Sequence, residues 1–103
     1  MNSVDEHKEN IAMLCQRHHV NRLYLFGSAL TPRFNNESDI DLLIQFGNMD
    51  VTNYFSNYMD LKEKFEELFN RPVDLVEDQA VRNPIFRKIL DREKKLIYER
   101  ESA

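Results

Sequence analysis

The stretch LFGSALTPRFNNESDIDLLIQF, Leu25–Phe46, decides how this chain is read. It begins in an apolar run, turns at Gly27-Ser28 and resumes as Asp39-Ile40-Asp41 inside a second apolar run. Aspartate is depleted in strands, so two of them one residue apart need a chemical reason. The chain has only two glycines, and one stands directly before the serine of this turn. The runs on either side, Arg22–Phe26 and Asp39–Phe46, are short, apolar and rich in β-formers, and predict two strands.

Outward from this core the pattern alternates. Ser3-Val4-Asp5-Glu6 has the form of a capping box. Behind it Ile11, Leu14, Cys15 and His18 follow helical spacing, which predicts a helix from about Val4 to His18. Gly47, Asn48 and Asp50 break the second strand, and Phe55, Tyr58, Leu61, Phe65, Leu68 and Phe69 then line one face of a helix over Thr52–Phe69. Asn70-Arg71-Pro72 ends that helix, because a proline disfavours helical backbone in the residue before it. Val73–Glu77 reads as a third strand. Asn83-Pro84 opens a last helix with Ile85, Phe86, Ile89 and Leu90 as its apolar residues. The closing KKLIYE fits either an extension of that helix or a short edge strand. The expected fold class is α/β: one domain over residues 1–103, with a small, mixed, twisted sheet and helices packed on it.

Composition narrows the function. The 103 residues are 42% hydrophobic and 31% charged, as expected of a globular chain. The formal net charge of −4 argues against binding driven by a nucleic-acid backbone, which needs clustered Lys and Arg, so no direct nucleic-acid partner is expected. A single cysteine, Cys15, leaves no intrachain disulfide and reads as a small buried hydrophobe. The acidic, polar start MNSVDEHKEN is unlike a signal peptide, and no apolar run approaches the roughly 20 residues of a membrane span. The expectation is a cytoplasmic chain with no membrane partner.

The acids carry the chemistry. Side chains alternate along a strand, so Asp39 and Asp41 project from one face. Two nearby carboxylates repel when both are ionised, and a hard divalent cation such as Mg²⁺ removes the conflict. Gly27 permits a sharp turn and close approach of a ligand, while Ser28 adds a hydroxyl suited to phosphate oxygens. Asp74, between Val73 and Leu75, shares the face of Asp39 and Asp41 if the strands pair. Three acids beside a phosphate cradle would make a two-metal phosphoryl-transfer site. Singly, each feature has a plain structural reading as turn, cap or exposed strand residue.

Gly27-Ser28, ten intervening residues, Asp39-x-Asp41, then a later strand carrying Asp74: together these resemble the DNA polymerase β-like nucleotidyltransferase superfamily. The chain is most similar to its minimal nucleotidyltransferase (MNT) branch, through LYLFGS, SDIDLLI, RPVDLVE and the ending NPIFRKIL…LIYE. The resemblance runs from about Leu23 to Tyr98 and implies the polymerase β-like core. It implies that Asp39 and Asp41 bind two Mg²⁺ ions that grip ATP. Asp74 would complete the second metal site and help activate the attacking hydroxyl. Gly27 and Ser28 would hold the β- and γ-phosphates, and AMP would be transferred with loss of pyrophosphate. It further implies an antitoxin that modifies a tyrosine of a helical HEPN-domain toxin. One departure stands out: MNT proteins often carry arginines just after Gly-Ser, where this chain has Ala29 and Thr31. Arg82, Arg87 and Lys88 are candidates to compensate, with solvated helix charges as their plainer reading. The alternative role is a non-catalytic MNT module that neutralises its partner by contact alone.

Overall fold

The computed structural model describes residues 6–27 and 39–101. Helix α1 (Lys8–Arg17) leads into strand β1 (Val20–Phe26), which is followed by β2 (Ile40–Phe46) and the long helix α2 (Val51–Phe69). Strand β3 (Val73–Glu77), a 3₁₀ turn (Asp78–Ala80), helix α3 (Pro84–Glu93) and strand β4 (Lys95–Glu99) complete the order. The four strands form one sheet in the order β3-β2-β1-β4. β1 runs antiparallel to both β2 and β4, while β2 and β3 are parallel. The sheet is therefore mixed, as expected, with a helical crossover joining its parallel pair.

Local chemistry accounts for the boundaries. The Asp50 side chain caps α2 by accepting from Thr52 N–H at 3.1 Å, which starts the helix one residue earlier than its apolar pattern suggested. Asn70 ends α2 in the left-handed region at φ 54°, a conformation asparagine tolerates. Asn83 Oδ1 accepts from both Ile85 N–H and Phe86 N–H at 3.0 Å, and Pro84 occupies the first helical position of α3. α1 runs Lys8–Arg17 with no side-chain cap on His7, and Glu6 before it is also helical; the expected start near Val4 lies outside the described residues. Apart from Glu6, the expected capping box lies outside the described residues. KKLIYE resolves as the edge strand, because Leu96 pairs with Tyr24 and Lys95 with Leu25.

Strand alternation divides the sheet into two unlike faces. Val20, Leu23, Leu25, Ile40, Leu42, Ile44, Val73 and Leu75 point to one face, where Ile11 and Cys15 of α1 and Leu61, Phe65 and Phe69 of α2 close over them. This is the main core. Burial pushes the Cys15 thiol up to about 12, so it is an inert packing residue here. His18, at the end of α1, faces acceptors with both ring nitrogens: Leu14 O at 2.7 Å and Asp60 Oδ2 of α2 at 2.6 Å. That contact ties the two core helices together and accounts for a buried polar ring.

The opposite face carries Phe26, Asp41 and Asp74 in one cross-strand row, followed by Tyr24, Leu43 and Val76 in the next. α3 lies against this face. Phe86 meets Phe26 edge-on with centroids 6.3 Å apart, and Lys94, just beyond α3, sits 4.5 Å over the Tyr24 ring. Arg87 binds Asp78 Oδ1 at 2.5 Å and Asp78 O at 3.0 Å, and Gln45 of β2 reaches Asp78 Oδ2 at 3.0 Å. No described helix is long and apolar enough to cross a membrane.

Candidate nucleotidyl-transfer site

The site is built from the ends of three strands. Asp41 and Asp74 are direct partners in the parallel ladder between β2 and β3, so their side chains leave the sheet on the same face. Their backbones are about 4.8 Å apart, the usual spacing of neighbouring strands. Ile40 N–H donates to Pro72 O at 3.1 Å, which extends the ladder to the residue beside Asp39. Asp39 immediately precedes β2, is exposed, and lies two residues before Asp41 in the alternation. Asp41 is half-buried and Asp74 exposed.

Gly27 is the third contributor. It follows β1 with φ 75°, in the left-handed region that side chains rarely adopt. Phe26 pairs with Asp41 across the ladder, so the turn at Gly27 passes directly beside that carboxylate. A Cβ added to Gly27 would overlap Asp41 Oδ2 and lie 3.1 Å from its Cγ. The glycine is thus required twice, by its own backbone angle and by the space the Asp41 carboxylate occupies. Ser28, Ala29 and Thr31 lie outside the described residues.

The register therefore sets Asp41 and Asp74 side by side, with Gly27 against the first. Among the described residues, no three His, Cys, Asp or Glu side chains are gathered into a metal-ligand group. The donor chemistry nonetheless suits a hard divalent cation: carboxylate oxygens on adjacent strands, approached closely by backbone where only a glycine fits. Arg87 is not available as a substitute for the arginines missing after Gly27-Ser28. It is held by Asp78 on one side and by Asp91 Oδ1 at 2.9 Å on the other, and these carboxylates hold its guanidinium firmly protonated. Arg82 and Lys88 are exposed.

One set of residues escaped sequence reasoning. Tyr54, Tyr58 and Glu66 of α2 all reach β3, the strand that carries Asp74. The Tyr54 hydroxyl donates to Glu77, the Tyr58 hydroxyl donates to Leu75 O, and Glu66 Oε2 accepts from Val73 N–H at 3.0 Å. Burial and the negative charge of Asp74 and Glu77 push the Tyr58 phenol upward, and burial with the Glu77 contact does the same to Tyr54. Tyr58, expected on the apolar face of this helix, packs against the core, and the Tyr54 ring meets Phe46 edge-on at 5.5 Å. The four-residue spacing of the two tyrosines was the available signal, but two of the three targets, Leu75 O and Val73 N–H, are backbone groups.

Comparison with known proteins agrees with this geometry. Residues 9–103 match the family model of the polymerase β nucleotidyltransferase domain. An inferred protein adenylyltransferase of Methanocaldococcus jannaschii is 34% identical over 88 residues, covering 84% of this chain and 83% of that protein. A solved structure described as a minimal nucleotidyltransferase superposes with a TM-score of 0.74 at 28% identity, covering 91% of this chain and 94% of the other. The MNT antitoxin complex with a tri-AMPylated HEPN toxin of Shewanella oneidensis gives a TM-score of 0.64 at 18% identity, covering 94% and 73%, and at that identity shares the fold. With a strand-borne Asp41–Asp74 pair, a glycine turn against it and a match over nearly the whole chain, this protein belongs to the polymerase β nucleotidyltransferase family.

Proposed function

We propose that this chain transfers AMP from ATP to a hydroxyl, with a tyrosine of a HEPN-domain toxin as acceptor, and so acts as an antitoxin. The observation that carries the reading is the in-register Asp41–Asp74 pair beside a glycine turn that only a residue without Cβ can make. The relatives point the same way: one is named for protein adenylylation, and a structural neighbour is an MNT antitoxin bound to an AMP-bearing toxin.

In this scheme Asp39 and Asp41 hold the metal-bound triphosphate, and Gly27 and Ser28 bring backbone and hydroxyl to its β- and γ-phosphates. Bound Mg²⁺, as two ions, would neutralise the charge that develops on the phosphates. Asp74 orients the acceptor hydroxyl and receives its proton. The acceptor oxygen bonds to the α-phosphorus, the bond from that phosphorus to the bridging oxygen breaks, and pyrophosphate departs. Such a step depends on positioning and charge neutralisation rather than on a covalent intermediate.

The test uses ATP labelled at the α- or the γ-phosphate, with Mg²⁺ and the cognate HEPN protein. Label from the α position should enter the partner and label from the γ position should not. A second reading, neutralisation by contact alone, draws on Ala29 and Thr31 standing where related chains often carry arginine. It predicts tight binding and toxin inhibition with no label transferred from either position.

A further inference from the structure

Among the described residues β3 is an edge strand, with β2 alone beside it. In a parallel ladder, alternate residues direct their N–H and C=O toward the neighbouring strand and the intervening ones direct theirs away. Here the outward groups include Val73 N–H and Leu75 O, on either side of Asp74. Both are taken by side chains of α2: Val73 N–H by Glu66 Oε2 at 3.0 Å, and Leu75 O by the Tyr58 hydroxyl. The Tyr54 hydroxyl adds a contact to Glu77 one pleat further on. The spacing is commensurate. Four residues of helix advance about 6 Å and two residues of strand about 6.6 Å. Positions Tyr54 and Tyr58 can therefore meet positions 77 and 75 while α2 runs back along the strand.

We infer that Tyr58 and Glu66 are positioning residues for Asp74: they grip the backbone on both sides of it and so aim its carboxylate at Asp41. An edge strand ordinarily leaves half its backbone polar groups to solvent. An acid there, exposed and held by one ladder, would swing with any twisting of the edge. Two side-chain hydrogen bonds from a helix that is itself locked into the core by Leu61, Phe65 and Phe69 remove that freedom. The hydrogen bonds of Glu66 and Tyr58 end on the backbone of β3, and the Tyr58 phenol also feels the Asp74 charge directly. The inference rests on the role of Asp74 in the proposed function.

The test separates the two claims. Amide hydrogen exchange of Val73–Leu75 is measured in the full chain and in Tyr58→Phe, Glu66→Ala and Glu66→Gln, each confirmed folded by its thermal transition. Exchange at Val73 should rise about tenfold in Glu66→Ala, while Glu66→Gln, which keeps an acceptor oxygen, should restore protection. Mn²⁺, added alone and followed by water-proton relaxation, reads the acid site. Tyr58→Phe should weaken Mn²⁺ binding at least about tenfold, as loss of an outer-shell contact does. The same change placed on Asp74→Asn should weaken it no further. Equal weakening in both backgrounds, or unchanged exchange over Val73–Leu75, overturns the inference. A wild-type chain that binds no Mn²⁺ refutes the metal reading of the site, and the exchange series still decides whether the two side chains hold the Asp74 backbone.

Discussion

Replacing Gly27 by alanine tests the site through two separable effects. The first is on stability. Gly27 sits at φ 75°, and holding a residue with a Cβ in the left-handed region costs about 1–2 kcal/mol. For a domain of this size about 1 kcal/mol corresponds to roughly 4–8 °C, so the melting temperature should fall by about 5–15 °C. The second effect is on the site. The new methyl overlaps Asp41 Oδ2 and approaches Cγ at 3.1 Å and Cβ at 3.3 Å, so the carboxylate must rotate away. Mg²⁺·ATP should then stabilise the variant far less than the wild type, for which ligand at 100 times its dissociation constant adds about 2.7 kcal/mol. Gly47→Ala is the control: its Cβ meets Asn21 Oδ1 at 2.9 Å, the end of a rotatable amide, away from the acid row. Calorimetric melts with and without Mg²⁺·ATP read both effects. Equal melting temperatures for the two variants, with equal nucleotide shifts, would refute the reasoning.

Other outcomes follow from the packing and the ion pairs. Phe65 is fully buried in the main core, so Phe65→Ala should cost about 3–5 kcal/mol by chemical denaturation. Arg87→Met should leave the Asp78 carboxylate, 16% exposed, without its strongest partner; the expected loss is about 1–3 kcal/mol with the Mn²⁺ affinity of the acid site unchanged. Hydrogen bonds from Arg87 and Lys94 hold the Asp91 carboxyl at about 2, and His18 lowers that of Asp60. Both are depressed on folding, so their stabilisation is complete above the ordinary carboxyl value of 3.8 and is lost as pH falls, through about pH 2 for Asp91. Urea midpoints between pH 5 and pH 2 should fall less steeply for Asp91→Asn than for the wild type.

Much of the fold is written in local signals. Val73–Glu77 is bounded by Pro72 and alternates cleanly, and it forms the strand expected of it. Asn83-Pro84 combines a side-chain acceptor with a proline that needs no N–H partner, and α3 begins there. KKLIYE was ambiguous for a physical reason: so short an edge segment has no burial pattern of its own, and pairing with β1, some seventy residues away in the chain, makes its last five residues, Lys95–Glu99, a strand. The site divides in the same way. The shared face of Asp39 and Asp41 follows from alternation, but the partnership of Asp41 with Asp74 depends on register between β2 and β3, which alternation alone leaves open. Tyr58 and Glu66 were illegible because what they bind is backbone. Arg87 reads from the sequence as a solvated charge or a stand-in for a phosphate-binding arginine, and its hold on Asp78, nine residues earlier, depends on how α3 returns to the sheet.

The most direct test of AMP transfer is the intact mass of the cognate HEPN protein after incubation with ATP, Mg²⁺ and this chain. The account predicts one or more added AMP groups on that protein. It also predicts their loss with Asp41→Asn, a nearly isosteric change that removes a metal-binding charge while leaving the partner still captured in a pull-down. An unmodified partner in the wild-type reaction, bound tightly and inhibited all the same, would contradict the transferase account and leave the chain an inhibitor by contact.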